Sequence, residues 1–363
     1  MYARRSIITS IIVALLMTLW QYQVVQSARG IPGSPEFGYG ARIYLDGIQA
    51  DAAIKAVTDL RLDWVAVDVS WSALYPTQTS TPDFSRLDPF MQSMGSAQTA
   101  VMFSITTPPA WACSAQGPNP YFTAQLVNQL LQRYPNTLQA IELFPAPNTS
   151  AGWCSTPDPA AYTTLFKIVS VQARIINPNL QLVSGGLRAL SPQTAAAGMD
   201  DLLFLQGMYT AGAGASINII GLLADQTTSD PLAAPDGVEH RYLRHYEEVR
   251  AVMIKNNHLT AKLWLTRLSF PAQIAQPNDA IYAQPQYQAQ WLSQAYNQLR
   301  SQLAVGVCFL DSLNPAPATS GIPASQAILS THPFYPTFKQ MIQQNAVVIP
   351  TLNPTYAYQA PNK

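Results

Sequence analysis

The sequence has 363 residues, enough for one large domain or two ordinary ones and for a sizeable hydrophobic core. Its 20 Lys and Arg residues equal its 20 Asp and Glu residues, so there is no net field to attract a nucleic acid, and we expect no nucleic-acid partner. Only 11% of the residues are charged, and 29 prolines indicate many rigid loops, a composition that leans toward an extracytoplasmic protein.

The N-terminus carries a segment that predicts export. Arg4 and Arg5 precede the uncharged, largely apolar residues 6–25, and this arrangement orients a segment with its N-terminus inside and the rest of the chain outside. Small residues at Val25 and Ser27 fit a signal-peptidase site, whereas a helix of ~19 residues is just long enough to span a bilayer. We expect a single-pass anchor in the cell membrane with a periplasmic or extracellular C-terminal domain, or a secreted protein if the segment is cleaved.

Eight short, β-rich apolar runs alternate with longer amphipathic helical patterns in the rest of the chain. The predicted strands cover residues 38–45, 62–71, 99–106, 138–144, 180–187, 217–225, 262–270 and 304–311. The predicted helices cover residues 51–61, 121–134, 160–176, 240–257, 287–303 and 333–344. This alternation predicts the α/β class, and eight repeats fit a closed (β/α)8 TIM barrel better than an open doubly wound sheet.

The predicted organisation has four parts. Residues 1–26 form the transmembrane anchor or signal segment, residues 27–36 a linker, residues 37–344 the barrel and residues 345–363 a Pro-rich tail. The tail has no helical period, so we expect it to be extended, either disordered or laid along a surface.

The fourth and seventh predicted strands carry the motifs that suggest a family. The fourth ends in Glu-Leu-Phe-Pro-Ala-Pro-Asn at residues 142–148, and the seventh contains Trp-Leu-Thr-Arg-Leu-Ser-Phe at residues 264–270. Together with "DVSWSALYPT" after the second strand and "TTPPAW" after the third, they resemble the clan of retaining glycoside hydrolases with (β/α)8 barrels, especially its β-xylosidase and exopolysaccharide hydrolase branch. In that clan the fourth strand ends in Glu-Trp-Asn-Glu-Pro-Asn and the seventh in Trp-Thr-Glu.

The resemblance implies that both catalytic carboxylates are replaced. Its acid/base position falls on Ala146, and its nucleophile position falls on Arg267. Retaining hydrolysis needs two carboxyl groups ~5 Å apart, one to protonate the leaving oxygen and one to attack the anomeric carbon. A methyl group has no proton to give, and a guanidinium stays protonated and cannot attack. The resemblance therefore implies a catalytically inactive barrel.

Other carboxylates could have taken over the chemistry. The acidic residues at the ends of predicted strands are Asp46, Asp68, Asp225 and Asp311. One interpretation is a relocated catalytic pair among them. We favour the other interpretation, in which they cap helices or pair with Arg267. The charge of Arg267 needs an acceptor at the barrel mouth, the end formed by the carboxyl ends of the strands. Glu142 has a scaffold equivalent in the clan, and we expect it to be structural.

Strand alternation predicts which side chains face the barrel mouth. Successive side chains of a strand point to opposite faces, so Ala146 shares a side with Glu142, and Arg267 shares a side with Leu263 and Leu265. We expect both substituted positions to face the mouth.

Aromatic residues in the predicted mouth loops are candidates for ligand binding. Trp71, Trp111 and Trp153 could form a platform on which sugar rings stack, and Asn148 belongs to the same candidate set. The alternative is that these side chains fill the loops as hydrophobic core.

Two cysteines lie in loops after neighbouring predicted strands. A disulfide between Cys113 and Cys154 is therefore plausible, which would suit an exported protein, and free thiols are the alternative. Cys308 lies in an apolar strand, where it is expected to be a small buried hydrophobic residue.

The sequence predicts neither a metal site nor a cofactor. His240 and His245 are five residues apart, which is not the spacing that places two ligands on one helix face, so a solvated face is the expected role. A phosphate-binding loop with its Lys and Ser or Thr is also missing from the sequence.

These observations lead to two functional hypotheses. The first is an inactive glycoside-hydrolase-like domain, tethered outside the membrane through residues 6–25, that serves as a structural or binding subunit of a membrane protein assembly or of a surface glycan. The second is an active glycoside hydrolase that uses relocated carboxylates.

Overall fold

The computed structural model describes residues 29–190, 195–224, 230–235, 242–270, 284–317 and 327–344. The predicted anchor at residues 6–25, the predicted tail and Asp225 lie outside the described residues. Within those ranges, no helix is both long enough and apolar enough to cross a bilayer.

All eight predicted strands are present. They are β1 Gly38–Arg42, β2 Trp64–Ser70, β3 Ala100–Thr106, β6 Leu138–Leu143, β7 Gln181–Ser184 with β8 Leu187–Arg188, β9 Ile219–Ala224, β10 Lys262–Leu268 and β11 Val305–Leu310. A short antiparallel hairpin, β4 Cys113–Ser114 and β5 Gly117–Pro118, lies in the loop after β3.

The parallel strands close into a barrel. Their order is β7-β6-β3-β2-β1-β11-β10-β9-β8, and β7 and β8 are the two halves of the fifth predicted strand. The first half pairs with β6 and the second with β9, so the sheet meets itself at this strand. The strand is interrupted at Gly185, where a Cβ would collide with the carbonyl oxygen of Phe144, so the close approach of the two backbones requires glycine. The prediction of a (β/α)8 barrel fits this arrangement.

Helices surround the sheet. They are α1 Ala50–Leu60, α2 Trp71–Leu74, α3 Leu87–Ala97, α4 Pro120–Arg133, α5 Ser150–Trp153, α6 Pro159–Ile176, α7 Asp201–Thr210, α8 Tyr246–Lys255, α9 Pro285–Arg300 and α10 Phe334–Gln343. The side chains of Asn119 and Asp158 cap α4 and α6, each just before a proline in the first turn. The predicted helix at 240–257 is shorter, because a 3₁₀ turn at Leu243–His245 precedes α8.

The core has an inner and an outer part. Inside the barrel lie Trp64, Ala66, Met102, Ala140, Val183, Ile219, Trp264, Val307 and Phe309. A larger cluster lies between the sheet and the helices. At the N-terminal end of the barrel, the indole nitrogens of Trp64 and Trp264 donate to the carbonyl oxygens of Arg29 (2.8 Å) and Gly30 (3.0 Å). The segment before β1 therefore closes this end.

Candidate functional site

The inner face of the barrel changes from apolar to polar toward the carboxyl ends of the strands. Ala66, Met102 and Ala140 belong to the inner apolar cluster. Two residues further along the same strands, on the same face, lie Asp68, Ser104 and Glu142. This polar layer lies at the end of the barrel where such folds place their sites.

Arg42, at the end of β1, lies in the centre of this polar layer. Its side chain is only 1% exposed, so its charge must be satisfied within the protein. One terminal nitrogen donates to a carboxylate oxygen of Asp68, and the other donates to Ser104 Oγ (3.3 Å) and to the carbonyl oxygen of Thr266 (3.1 Å). Arg42 thereby joins β1, β2, β3 and β10 across the barrel.

Arg267, on β10, brings a second positive charge to this polar layer. One terminal nitrogen donates to Asp68 Oδ2 at 2.6 Å, and the other lies 3.2 Å from the Tyr44 hydroxyl and 3.4 Å from Asp311 Oδ2. Asp68 therefore bridges the two guanidinium groups. The expectation that an acceptor would be found for Arg267 among the strand-end acids is confirmed.

The route by which Arg267 reaches the mouth differs from the expected alternation. Leu263 and Leu265 pack in the outer cluster between sheet and helices, whereas Trp264 points into the barrel. A register shift against β9 between Leu265 and Arg267 reverses the alternation, so Arg267 turns inward although Leu265 does not. The inference from simple alternation was wrong for this strand, because it assumed no bulge.

Asp311, directly after β11, is 2% exposed and is held from several directions. The Tyr44 hydroxyl donates to its Oδ1 at 2.8 Å, and Ser269 Oγ lies 3.4 Å from its Oδ2. Together with the contact from Arg267, these bonds leave Asp311 as an acceptor in a hydrogen-bonded network rather than as a carboxylate open to solvent.

Glu142 is fully buried on β6, below the mouth. Ser104 Oγ donates to one carboxylate oxygen, and the backbone nitrogen of Gly186 donates to the other at 2.9 Å. It therefore fastens β3 and β6 to the interrupted fifth strand, in keeping with a structural role.

The electrostatics of the layer keep Asp68 ionised. Burial alone would raise the pKa of the Asp68 carboxyl, but the charges of Arg267 and Arg42 outweigh it and hold its pKa below the ordinary value. Burial, and next the negative charge of Asp311, raise the pKa of Tyr44, which therefore stays a neutral donor. Asp68 thus has no proton to give near neutral pH.

Ala146 lies in a tight, buried turn after β6. The backbone leaves the extended conformation at Phe144 (φ 56°) and again at Ala146 (φ 58°), so strand alternation does not continue past Leu143. The Ala146 nitrogen donates to the carbonyl oxygen of Gly186 at 2.8 Å, and its own carbonyl oxygen accepts from the Thr149 nitrogen at 3.0 Å. This turn fixes the loop that follows β6 against the fifth strand.

Asn148, a candidate ligand contact, is fully buried and holds two loops together. Its Nδ2 donates to the carbonyl oxygens of Arg188 (2.8 Å) and Met199 (2.9 Å), and its Oδ1 accepts from the Arg188 nitrogen (3.0 Å). With its donors and its acceptor engaged by backbone, Asn148 is a clamp between loops and is not open to a ligand.

The candidate tryptophans lie mostly in the core. Trp71 is 1% exposed and stacks on Phe144, and Trp153 is completely buried. Trp111 is partly exposed; its ring meets Trp71 edge to face at 5.6 Å, and its indole nitrogen donates to the Tyr75 carbonyl oxygen. A stacking platform of all three rings is therefore not formed, and only Trp111 among them keeps part of its face accessible.

Cys113 and Cys154 form a disulfide, with their Cα atoms 6.5 Å apart. It joins the hairpin after β3 to the end of α5, and so fixes the loop that contains Ala146. Cys308 is buried in β11, and burial raises the pKa of its thiol, so it stays protonated.

The remaining candidates lie outside this network. Asp46 is exposed and forms an ion pair with Arg86. The predicted solvated face comprised His240, which lies outside the described residues, and His245, for which it was wrong: His245 is buried between Asp201 (2.6 Å) and Glu248 (2.7 Å). Among the described residues, no group of His, Cys, Asp and Glu side chains has the arrangement of a metal site.

Sequence reasoning missed two members of the network, Arg42 and Tyr44. Arg42 was visible as a lone charge in an apolar strand, a pattern that calls for a buried partner. Tyr44 had no such signal, because tyrosine is common in strands and its hydroxyl finds Asp311 only through the closure of β1 on β11.

No protein-family model and no curated protein matches this sequence. Solved structures do match its fold. A family 39 glycoside hydrolase from the gut symbiont Bacteroides cellulosilyticus aligns with a TM-score of 0.63 at 14% identity, over 85% of this chain and 64% of that chain. A glucosidase from Croceicoccus marinus gives 0.62 at 12% identity, over 88% and 68%. A GH30 endoxylanase from Clostridium papyrosolvens gives 0.55 at 13% identity, over 85% and 72%.

These likenesses show the fold: this chain is similar to the (β/α)8 barrels of glycoside hydrolases. It spans less than two thirds of the length of the family 39 enzyme. Because a shared barrel does not carry a shared activity, the chemistry has to be argued from the residues at the mouth.

Proposed function

We propose that this protein is a glycoside-hydrolase-like barrel that does not hydrolyse glycosides, and that it serves outside the membrane as a binding or structural subunit. The observation that carries the proposal is Arg267. At the position implied for the nucleophile, its guanidinium contacts Asp68 and Asp311. The fold resembles glycoside hydrolases, but this mouth carries an ion-pair network in that place.

The chemistry of the two implied catalytic positions supports inactivity. A guanidinium cannot attack an anomeric carbon, and Asp68 and Asp311 beside it are engaged as acceptors. At the implied acid position, Ala146 offers only a buried methyl group. Loss of a general acid alone costs ~10²–10⁴ in rate, and loss of the nucleophile removes the covalent route.

The proposed location rests on two features. Residues 6–25 are uncharged and long enough to span a bilayer, and a disulfide joins Cys113 to Cys154, as expected in an oxidising compartment. We therefore propose a single-pass membrane protein whose barrel lies in the periplasm or outside the cell. Its partner is either other subunits of a membrane assembly or a surface glycan, which Trp111 would contact.

The alternative, an active hydrolase with relocated carboxylates, is supported by one observation. Asp68 keeps 29% of its side chain exposed, so a substrate could reach it. It would have to act as nucleophile rather than acid, because Arg267 and Arg42 keep it ionised.

An activity assay separates these two functions. The purified protein is incubated with aryl β-xylosides, aryl β-glucosides and polysaccharides, and aryl release and reducing sugar are measured against a no-protein blank. We expect no turnover above the blank. The variant Asp68→Asn tests the alternative, and Asp88→Asn is its matched control, because Asp88 pairs with Arg133 between the outer helices α3 and α4 and is not among the candidate acids. Turnover by the unmodified protein contradicts the proposal, and its loss in Asp68→Asn alone would establish the alternative.

A second assay separates the two proposed partners. The protein is solubilised in mild detergent, and co-purifying proteins are identified while binding to immobilised glycans is measured. Elution with other membrane proteins and no glycan binding would support the assembly role. The glycan role would be supported if the protein elutes without partners and binds a glycan, and if Trp111→Ala weakens that binding.

A further inference from the structure

The N-terminal end of the barrel is built around the segment that follows the proposed anchor. The carbonyl oxygens of Arg29 and Gly30 accept from the indole nitrogens of Trp64 and Trp264, both of which belong to the inner core. A Cβ at Gly30 would collide with the carbonyl oxygen of Gly306, so this segment also lies against the start of β11. The point at which the chain enters the barrel is thereby fixed.

Exposed apolar side chains lie at the same end. Ile254, Leu259 and Leu303 are 53%, 55% and 57% exposed; Ile254 lies at the end of α8, and the other two lie in the connections that lead into the N-terminal ends of β10 and β11. Two basic side chains lie among them: Arg250 donates to the Leu259 carbonyl oxygen (2.8 Å), and Lys262 donates to that of Leu303 (2.6 Å). We call these five residues the basal face.

The basal face adjoins the entry point of the chain. Leu303 is three residues from Gly306, which touches Gly30. Only four peptide steps separate Val25, the last residue of the apolar segment, from Arg29, a reach of at most ~14 Å. A bilayer spanned by residues 6–25 would therefore lie close to this end of the barrel and far from its mouth.

We propose that the basal face rests on the bilayer surface, with anionic phospholipid headgroups as its partner, and that the barrel mouth points away from the membrane. This inference rests on the proposed tether through residues 6–25. Exposed leucine and isoleucine side chains beside Arg250 and Lys262 are a combination that binds at the interface, since the apolar groups enter the acyl boundary and the cations meet the headgroups.

The orientation limits what the mouth can bind. A ligand for the surface around Asp68 and Trp111 would approach from the aqueous side, or from a neighbouring protein, and not from the bilayer that holds the tether.

The test measures the distance of single fluorescent probes from lipid. The full-length chain is reconstituted into phosphatidylcholine vesicles containing phosphatidylglycerol and a lipid-attached quencher, and a thiol-reactive dye is placed at Leu259→Cys or Leu303→Cys. The matched control is Ile48→Cys, an apolar side chain that is 70% exposed at the mouth end, where its carbonyl oxygen accepts from Asn314. The native cysteines do not interfere, because two form the disulfide and Cys308 is buried.

We expect the quencher to remove fluorescence from the probes at Leu259→Cys and Leu303→Cys, to spare the probe at Ile48→Cys, and to act less in pure phosphatidylcholine. Equal quenching at the three positions, or stronger quenching at Ile48→Cys, overturns the orientation. Carbonate extraction of the same vesicles tests the tether separately. Release of the chain overturns the tether and this inference together, whereas a retained chain without selective quenching overturns the orientation alone.

Discussion

The two ends of the barrel satisfy their buried polar groups in opposite ways. At the N-terminal end, neutral indole donors of Trp64 and Trp264 meet two backbone carbonyls above an apolar interior. At the mouth, the guanidinium groups of Arg42 and Arg267 are held between carboxylates, with Asp68 shared by both. The barrel interior is closed at one end by packing and neutral hydrogen bonds, with the Arg29–Asp63 ion pair (3.7 Å) beside them, and at the other end by buried charge.

The difference indicates what each end contributes. Replacing a buried ion-pair network by well-packed apolar residues is often neutral or stabilising, so a charged layer is not the simplest way to fill a barrel. The apolar end supplies stability through burial. The charged end places two cations and their acceptors around a partly exposed carboxylate, an arrangement that suits the proposed binding or scaffold role.

The largest effect should come from removing one partner of the buried charges. Arg42→Met leaves Asp68 without one of its two cations and Ser104 without a donor, and we expect a loss of ~3–5 kcal/mol in the free energy of unfolding, measured by urea titration. The matched control is Arg86→Met, whose pair with Asp46 is exposed, and it should cost less than ~1 kcal/mol. Equal effects of the two substitutions would show that the mouth charges are no more costly to break than surface charges.

A buried charge outside the mouth network, between the starts of α7 and α8, offers an intermediate case. Burial alone would lower the pKa of His245, but hydrogen bonds to Asp201 and Glu248 outweigh it and raise its pKa to about 9. Because the folded pKa lies above the unfolded one, this stabilisation is complete below pH ~6.5 and is lost as pH rises through 9, by at most ~3 kcal/mol. Urea midpoints should fall across that interval, and His245→Gln should flatten the slope. A pH-independent midpoint in the unmodified protein would contradict the charged state of His245.

The smallest effect should come from breaking a neutral hydrogen bond at the N-terminal end of the barrel. Trp264→Phe keeps an aromatic ring in the inner core but removes the donor to Gly30, so we expect a loss of ~1–3 kcal/mol from the unpaired carbonyl and the smaller ring. Thermal and urea unfolding measure it, and Trp111→Phe, at a partly exposed donor, is the control. A loss as large as that of Arg42→Met would remove the distinction between the two ends.

Much of the barrel could be predicted because its strands are short apolar runs in a repeating pattern. The strands were predicted in the correct order, and the helix predicted over residues 160–176 agrees closely with α6 at Pro159–Ile176, which Asp158 caps. Helix α7 was missed because it is apolar on most sides and so lacks the 3.6-residue period. The loop tryptophans could not be placed, since an aromatic residue after a strand suits a platform and a core equally well.

The sequence by itself determined the repeating βα architecture, the apolar N-terminal segment and the identities of Ala146 and Arg267 at the two positions that the family resemblance singles out. Only the tertiary structure decided where those residues lie. A register shift on β10 turned Arg267 into the mouth, positive φ angles placed Ala146 in a buried turn, and closure of the sheet brought Arg42 and Tyr44 to Asp68 and Asp311. The physical reason is that periodicity is a local property of the chain, whereas bulges and charge partners are settled by strands that are distant in sequence.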